Sequence, residues 1–194
     1  RLWDDAAGSF DDEPDHGLLD SVVRAAWKEL LTQLLPTRPS MVLDIGCGTG
    51  SVSRLLAELN HNVTGVDLSP AMIDIATEKA KSAGHTITFQ IMDAAFPQLA
   101  PQKFDVIVCR HLLWALPSPQ QVLQRWAYLL KPGASMILIE GFWHTGGGLH
   151  AKDIVSMMPT SMTDISVRDL SKQANLWGSE VTDERYAIRA TLKT

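Results

Sequence analysis

The sequence predicts an α/β fold in which helices cover both faces of a mostly parallel, doubly wound sheet. Three observations support this prediction. Short apolar runs alternate along the chain with segments of helical periodicity, glycines at 46, 48 and 50 directly follow the first run, and polar residues stand at the carboxyl end of every run. Because the runs are apolar at nearly every position, each strand should be buried on both faces, as the strands of parallel sheets are.

The elements can be assigned in order along the chain. Apolar residues at helical spacing between Val22 and Leu34 predict a leading amphipathic helix, which Pro36 and Pro39 end. Strands are predicted at 41–45, 62–67, 86–91, 104–109 and 135–140, and helices at 50–59, from Ser69-Pro70 onward and from Ser118-Pro119 to Leu130. The tail carries a loop of three glycines at 146–148, a short helix near 151–158 and two final strands, ISVRDL and ERYAIRATL.

Composition limits the kinds of partner that the chain is expected to bind. With 194 residues, 45% of them hydrophobic, the chain is expected to form one domain with a substantial core. A formal net charge of -5 and the lack of any Lys/Arg-rich stretch disfavour nucleic acid and anionic membranes as partners. Two cysteines outside any C-x-x-C pair, an acidic N-terminus and no long apolar segment predict a soluble, cytoplasmic protein.

The loop after the first strand, VLDIGCGTG, raises the question of which ligand it holds. Gly46, Gly48 and Gly50 give G-x-G-x-G, whereas the dinucleotide fingerprint is G-x-G-x-x-G. Asp44, two residues before the turn, would repel a pyrophosphate and attract a ligand that carries an ammonium group. Asp67 ends the second strand, 21 residues beyond Gly46, where an acid typically binds the hydroxyls of a ribose.

Five segments in order resemble one family. VLDIGCGTG, VTGVDLSPAMI, FQIMDAA, FDVIVCRHLLWAL and LLKPGASMILIE, between residues 41 and 140, are similar to the class I S-adenosylmethionine-dependent methyltransferases. The resemblance is strongest to the small-molecule enzymes found in quinone and natural-product pathways. It implies a Rossmann-like sheet of seven strands with an antiparallel final strand, S-adenosyl-L-methionine as cofactor and a small-molecule acceptor.

The resemblance also implies roles for individual residues. The glycine loop would approach the methionine portion of the cofactor, Asp44 would help to hold its amino group, and Asp67 would bind its ribose. The full set expected to bind the cofactor is Asp44, Gly46, Cys47, Gly48, Gly50, Asp67, Leu68, Met72, Asp93, Ala94 and Arg110, with Leu68 and Met72 against the adenine and Asp93 with the Ala94 backbone at its ring edge.

The division of the chain follows from the same resemblance. Residues 1–194 would form a single methyltransferase domain with an N-terminal lid at 1–36, in which Trp3 and Phe10 cover the cofactor. The cofactor-binding core would span 41–140, and a substrate-side loop with the final strands would span 141–194. The acidic run from Asp11 to Asp15 is most simply interpreted as a solvated face.

His111 and His144 follow strand ends and are the candidate catalytic bases, since an accessible histidine suits proton removal from a weakly acidic acceptor. His150 follows on the same glycine-rich loop as His144, but no paired acid or cysteine completes a metal set with them, so no metal is expected. Two other functions stay open: a nicotinamide-dependent oxidoreductase, although the chain has no Tyr-x-x-x-Lys pair, and a cofactor-binding module without catalysis.

Overall fold

The computed structural model describes residues 2–194, with Arg1 and the side chain of Leu2 outside the description. Seven strands form one sheet in the order β3-β2-β1-β4-β5-β7-β6. They are β1 (Met41–Ile45), β2 (Asn62–Asp67), β3 (Thr88–Ile91), β4 (Phe104–Arg110), β5 (Leu130–Phe142), β6 (Met162–Asp169) and β7 (Glu184–Leu192). Strands β1 to β5 pair in parallel, and β7 is antiparallel to β5 and β6. The predicted fold class is confirmed.

Helices connect the strands and precede the sheet. They are α1 (Leu2–Ala6), α2 (Pro14–Gly17), α3 (Ser21–Leu34), α4 (Ser51–Glu58), α5 (Pro70–Ser82), α6 (Pro119–Leu129), α7 (Ala151–Met157) and α8 (Ala174–Trp177), with 3-10 turns at Phe10–Asp12 and Leu113–Ala115. α3 begins after Asp20, whose carboxylate accepts hydrogen bonds from the N–H groups of Val22 and Val23. Within residues 2–194, no helix has both the length and the apolar character needed to cross a membrane.

The core lies in two layers, one on each face of the sheet. Successive residues of β1 point to opposite faces, so Val42 packs in the layer with α3 and α4, and Leu43 packs in the layer with α6 and α7. Trp27 of α3 and Trp126 of α6 are fully buried in these layers, as their helical spacing predicts. Because both faces are covered, the edge formed by the carboxyl ends of the parallel strands is where a ligand can bind.

Several strand boundaries differ from the sequence prediction: β4 and β5 end one and two residues later, and β6 spans Met162–Asp169 in place of 165–170. β3 begins at Thr88, two residues later than predicted, and β5 begins at Leu130 in place of residue 135. Leu130 pairs with Phe104 across an irregularity in the register, so the KPG segment that ends α6 also continues into the strand.

Candidate functional site

The N-terminal segment 2–20 lies across the carboxyl edge of the sheet. The ring of Phe10 stands over the glycine loop, where a Cβ added at Gly48 would come within 3.3 Å of it. Asp11 accepts hydrogen bonds from the hydroxyl of Thr49 at 2.5 Å and from Nζ of Lys79 at 2.6 Å. The segment is therefore bound to both the glycine loop and α5.

These contacts correct the interpretation of the acidic run. Asp12 and Glu13 are exposed as predicted, but Asp11 and Asp15 are partly buried. The solvated-face prediction is wrong for these two residues because the segment folds back onto the sheet edge, where cationic side chains such as Lys79 face them.

The glycine loop uses its own amide groups internally. The N–H groups of Gly46 and Cys47 donate to the carbonyl of Val66, at 2.8 and 2.9 Å, and the N–H of Gly50 donates to the carbonyl of Cys47 at 2.9 Å. The N–H of Gly48 donates to the Asp67 carboxylate at 2.9 Å. A pyrophosphate bound at a glycine loop needs such amides as donors, and here they are engaged.

Two of the loop glycines are required by close packing. Gly50 has φ +76°, and a Cβ there would lie 2.9 Å from Cβ of Ala76. Gly46 has φ +75°, and a Cβ there would collide with the side chain of Leu112. A larger residue at either position would be strained and would displace the turn.

The two acids expected to hold a ligand differ in their surroundings. Asp44 is buried, and its carboxylate accepts from the hydroxyl of Ser53 at 2.5 Å; burial raises its pKa to about 6. Asp67 is partly buried and accepts from the N–H groups of Gly48 and Ser69, both at 2.9 Å, while burial raises its pKa. Asp44 ties β1 to α4, and Asp67 stands at the end of β2 and bonds to the loop.

The residues expected around an adenine ring differ in solvent exposure. Leu68 exposes 62% of its area, whereas Met72 exposes only 1%. Asp93 is exposed and accepts from the N–H of Ala95 at 2.8 Å, and the carbonyl of Ala94 accepts from the indole N–H of Trp126 at 2.8 Å. Leu68 offers an apolar surface to a flat ring, while the contact of Asp93 with a ring edge stays a prediction.

Arg110 and Cys47 are two further residues expected to bind the cofactor. The guanidinium of Arg110 donates to the backbone carbonyls of Asp15 and His16 and lies 5.1 Å from the ring centroid of Trp27. Burial lowers the pKa of Arg110 and raises that of the Cys47 thiol well above its ordinary value. Cys47 is therefore a packing thiol, and Arg110 is a partly buried cation beside the loop.

The two candidate bases have contrasting exposures. The side chain of His111 is 12% exposed, with Nδ1 3.7 Å from the Asp15 carboxylate, and His111 has φ +55°. Burial, then the charge of Arg110, lowers its pKa well below the usual value. The side chain of His144 is 79% exposed and its Nδ1 lies 3.4 Å from the Asp183 carboxylate. The structure places His111 inside the site and His144 at its solvent side.

Four residues around His111 were not selected from the sequence. Asp15 and His16 of α2, Trp177 of α8 and Arg185 of β7 all lie close to its ring or to each other. The sequence contained one indication for Arg185, which is a cation within the predicted final strand ERYAIRATL. Nothing in the sequence distinguished Asp15, His16 or Trp177 from their neighbours. Within residues 2–194, Asp15, His16 and His111 form the one group of three whose ligating atoms lie close enough for a metal ion.

Glu140 supports the turn that follows β4. Its side chain is fully buried at the end of β5, and Oε1 accepts from the N–H groups of Leu112 at 2.9 Å and Leu113 at 2.8 Å. In the described part of the chain its Oε2 has no hydrogen-bond partner, and burial raises the pKa of Glu140 to about 7. The backbone after His111 is therefore fixed by a carboxylate below it.

Comparison with known proteins gives one family match and many relatives. Residues 42–133 match the family model described as a methyltransferase domain. The chain is 37% identical over 106 residues to a ubiquinone biosynthesis O-methyltransferase of Coxiella burnetii, covering 55% of this chain and 45% of that protein. It is 32% identical over 139 residues to the protein of the same name from Xanthomonas euvesicatoria, covering 70% and 54%. The chain thus spans about half the length of the curated relatives it matches.

Solved structures share the fold at lower identity. The N-methyltransferase NodS from Bradyrhizobium japonicum, solved in complex with S-adenosylhomocysteine, has a TM-score of 0.76 at 19% identity, with 99% of both chains covered. The cyclase SpnF has a TM-score of 0.75 at 18% identity, with 87% of this chain and 80% of that chain covered. One fold therefore carries more than one named chemistry among these neighbours, and function has to be argued from the site.

Proposed function

The chain belongs to the class I S-adenosylmethionine-dependent methyltransferases, and from that premise we propose that it transfers a methyl group from S-adenosylmethionine to an oxygen, nitrogen or carbon atom of a small molecule. When bound, S-adenosylmethionine supplies an electrophilic methyl group on a sulfonium. The observation that carries the proposal is the engaged glycine loop, whose amides bind Val66, Cys47 and Asp67. Such a loop suits a ligand that has hydroxyls and a cation but no phosphate.

The residues present fit this cofactor. A carboxylate has about four acceptor positions, and the N–H groups of Gly48 and Ser69 use two of those on Asp67, which leaves acceptors for two ribose hydroxyls. Arg110 would supply a partly buried cation for the methionine carboxylate. Asp44 supplies negative charge near the loop for the amino group, and exposed Leu68 supplies an apolar surface for the adenine.

His111 is the residue proposed to accept the proton of the acceptor. Its lowered pKa keeps the imidazole neutral at pH 7, so a nitrogen is free to take a proton. A carboxylate beside Nδ1, which Asp15 supplies at 3.7 Å in this structure, would stabilise the imidazolium that forms. His144 is the competing base, on an exposed loop next to the same edge.

Calorimetry tests the cofactor. S-Adenosylhomocysteine should bind and NAD should give no comparable heat, because the amides of Gly46, Cys47, Gly48 and Gly50 are already engaged and the Asp67 carboxylate at the loop would repel a pyrophosphate. Tight binding of NAD would contradict the assignment and favour an oxidoreductase. Incubation with methyl-labelled S-adenosylmethionine and a panel of phenols and amines then separates an enzyme from a module that binds the cofactor without catalysis.

A pair of variants tests the base. His111→Ala should lower turnover of a phenolic acceptor by about a hundredfold or more while cofactor affinity stays within about threefold. The loss should shrink as the pH approaches the pKa of the acceptor, since the nucleophile then ionises without help. A fully active His111→Ala combined with an inactive His144→Ala would move the role to the loop at 143–150.

The remaining roles are proposed from the positions of the segments. Residues 1–36 would cover the cofactor, 41–140 would bind it and 141–194 would face the acceptor. The two free, buried cysteines support a reducing compartment, and we place the protein in the cytoplasm. No nucleic acid or membrane partner is proposed, in keeping with the net charge of -5.

A further inference from the structure

We propose that the acceptor is a planar aromatic acid, and that its carboxylate binds in a slot that the carboxylate of Asp15 fills in this structure. The acid slot is defined by these residues: Asp15, His16, His111 and Arg185 at its end, and Trp143 and Trp177 as its walls. The inference rests on the proposed function, because it names the class of molecule that would receive the methyl group.

Asp15 fills the slot loosely. Its side chain is 15% exposed, and its carboxylate lies 3.7 Å from Nδ1 of His111, 3.9 Å from Nη1 of Arg185 and 4.0 Å from Nε2 of His16. All three distances exceed the reach of a hydrogen bond. Three potential donors thus surround the Asp15 carboxylate, and none of them forms a hydrogen bond with it. This is expected if the carboxylate of a ligand fits the slot better than that of Asp15.

Two ring nitrogens in the slot are also unsatisfied. Among the described residues, Nδ1 of His16 and Nε2 of His111 are buried without a hydrogen-bond partner. Unsatisfied buried polar atoms are uncommon in native proteins and require an explanation. A ligand with several oxygen atoms would give these nitrogens partners.

Arg185 is oriented for a carboxylate. Its Nε and Nη2 donate to Asp183 at 2.7 and 3.2 Å, which fixes the guanidinium and leaves Nη1 directed at Asp15. The guanidinium lies 4.9 Å from the ring centroid of Trp177 and 5.7 Å from that of Trp143. A fixed guanidinium close to two indole rings can bind a flat acid through charge and stacking.

Aromatic rings extend from the acid slot in two directions, towards solvent and towards the glycine loop. Trp114, which is exposed, contacts Trp143 with ring centroids 5.4 Å apart, so aromatic surface leads from the outside to the slot. On the other side Phe10, which lies over Gly48, stacks on His16 at 4.4 Å. The slot is therefore adjacent to the loop where the methyl donor is proposed to bind.

A divalent cation is the competing occupant, because Asp15, His16 and His111 have ligating atoms within 4.8 Å of one another. Arg110 donates to the backbone of Asp15 and His16, and Arg185 faces the Asp15 carboxylate. Asp183 neutralises Arg185 in part, but the two guanidiniums together would still disfavour a dication and favour an anion. The charges favour the acid.

Titration with benzoate and its neutral isostere benzamide tests the inference, with tryptophan fluorescence or calorimetry as the readout and the full chain saturated with S-adenosylhomocysteine. Benzoate should bind at least tenfold tighter than benzamide. Asp15→Asn should tighten benzoate binding by about tenfold, since the resident negative charge is removed, and Arg185→Gln should weaken it by about tenfold or more. Asp12→Asn, the same change at an exposed position of the same segment, should leave the affinity within twofold.

Three results would overturn the inference: equal affinity for benzoate and benzamide, unchanged or weaker benzoate binding by Asp15→Asn, or stoichiometric binding of Mg²⁺ or Zn²⁺ that Asp15→Asn abolishes. Asp15→Asn keeps the test decisive should Arg185→Gln fail to fold. Binding of S-adenosylhomocysteine is measured in the same samples. If it binds and benzoate does not, the acid slot fails while the proposed function stands; if it does not bind, the proposed function fails by itself.

Discussion

Replacing Glu140 by glutamine tests the electrostatics beneath the site. The side chain is fully buried, Oε1 accepts from the N–H groups of Leu112 and Leu113, and Oε2 has no partner in the described chain. Burial raises its pKa from 4.5 to about 7. Glu140→Gln keeps an oxygen for the two amides and removes the titration.

The magnitude follows from the difference between the two pKa values. Below pH 4.5 the carboxyl is protonated in both the folded and the unfolded chain, and its contribution to stability is fully present. As the pH rises towards 7 the unfolded chain loses its proton first, so this contribution to the free energy of unfolding is lost. A pKa of about 7 against 4.5, at about 1.36 kcal/mol per unit, makes the loss about 3 kcal/mol by pH 8.

Urea unfolding between pH 4.5 and 8.5 measures the effect. The variant carries a constant cost of roughly 1–3 kcal/mol, because its amide nitrogen lacks an acceptor. The difference in the free energy of unfolding should nevertheless move by about 3 kcal/mol in favour of the variant across this range. Glu58→Gln is the matched control: burial would raise the pKa of Glu58, but its ion pair with Arg24 outweighs burial and lowers it, so that difference should be flat above about pH 5.5. Parallel profiles for wild type and Glu140→Gln would refute the reasoning.

Three further changes test other parts of the structure. Asp67→Ala should weaken S-adenosylhomocysteine binding by roughly ten- to a hundredfold in calorimetry, since two hydroxyls lose a charged acceptor, whereas exposed Asp74→Ala should not; equal effects would place Asp67 outside the site. Trp126→Phe deletes the donor to the Ala94 carbonyl and should cost about 1–3 kcal/mol in urea unfolding, and an unchanged midpoint would contradict the role of that bond. Asp11→Asn should speed amide exchange in residues 2–17 while global stability moves by less than about 1 kcal/mol; unchanged exchange would show that the ion pair with Lys79 does not hold the segment.

The elements that the sequence predicted well are those with local signals. The strand, glycine turn and helix between Met41 and Glu58 follow from an apolar run, three spaced glycines and leucines at helical spacing. The positions of Asp67 and His111 at the same edge follow from parallel strands, because the carboxyl ends of such strands coincide. Local pattern and sheet direction together were enough to locate the proposed cofactor site.

The contacts that the sequence did not predict join residues far apart in the chain. Arg110 reaches the carbonyl of Asp15, 95 positions earlier, and Glu140 accepts from Leu112, 28 positions earlier. No periodicity records such a pairing, since it depends on how the segment at 2–20 folds over a completed sheet. Sequence alone therefore predicts a solvated face for an acidic run, because the cationic partners become apparent only in the folded structure.

The segment at 2–20 touches both halves of the site, since Phe10 lies over Gly48 and Asp15 lies against His111. If both proposed ligands displace this segment, their binding is energetically linked. Linkage is reciprocal, so the factor by which the cofactor changes the affinity for the acceptor must equal the factor by which the acceptor changes the affinity for the cofactor. The first ligand to bind would then bear the free-energy cost of displacing the segment. The second ligand would bind without that cost.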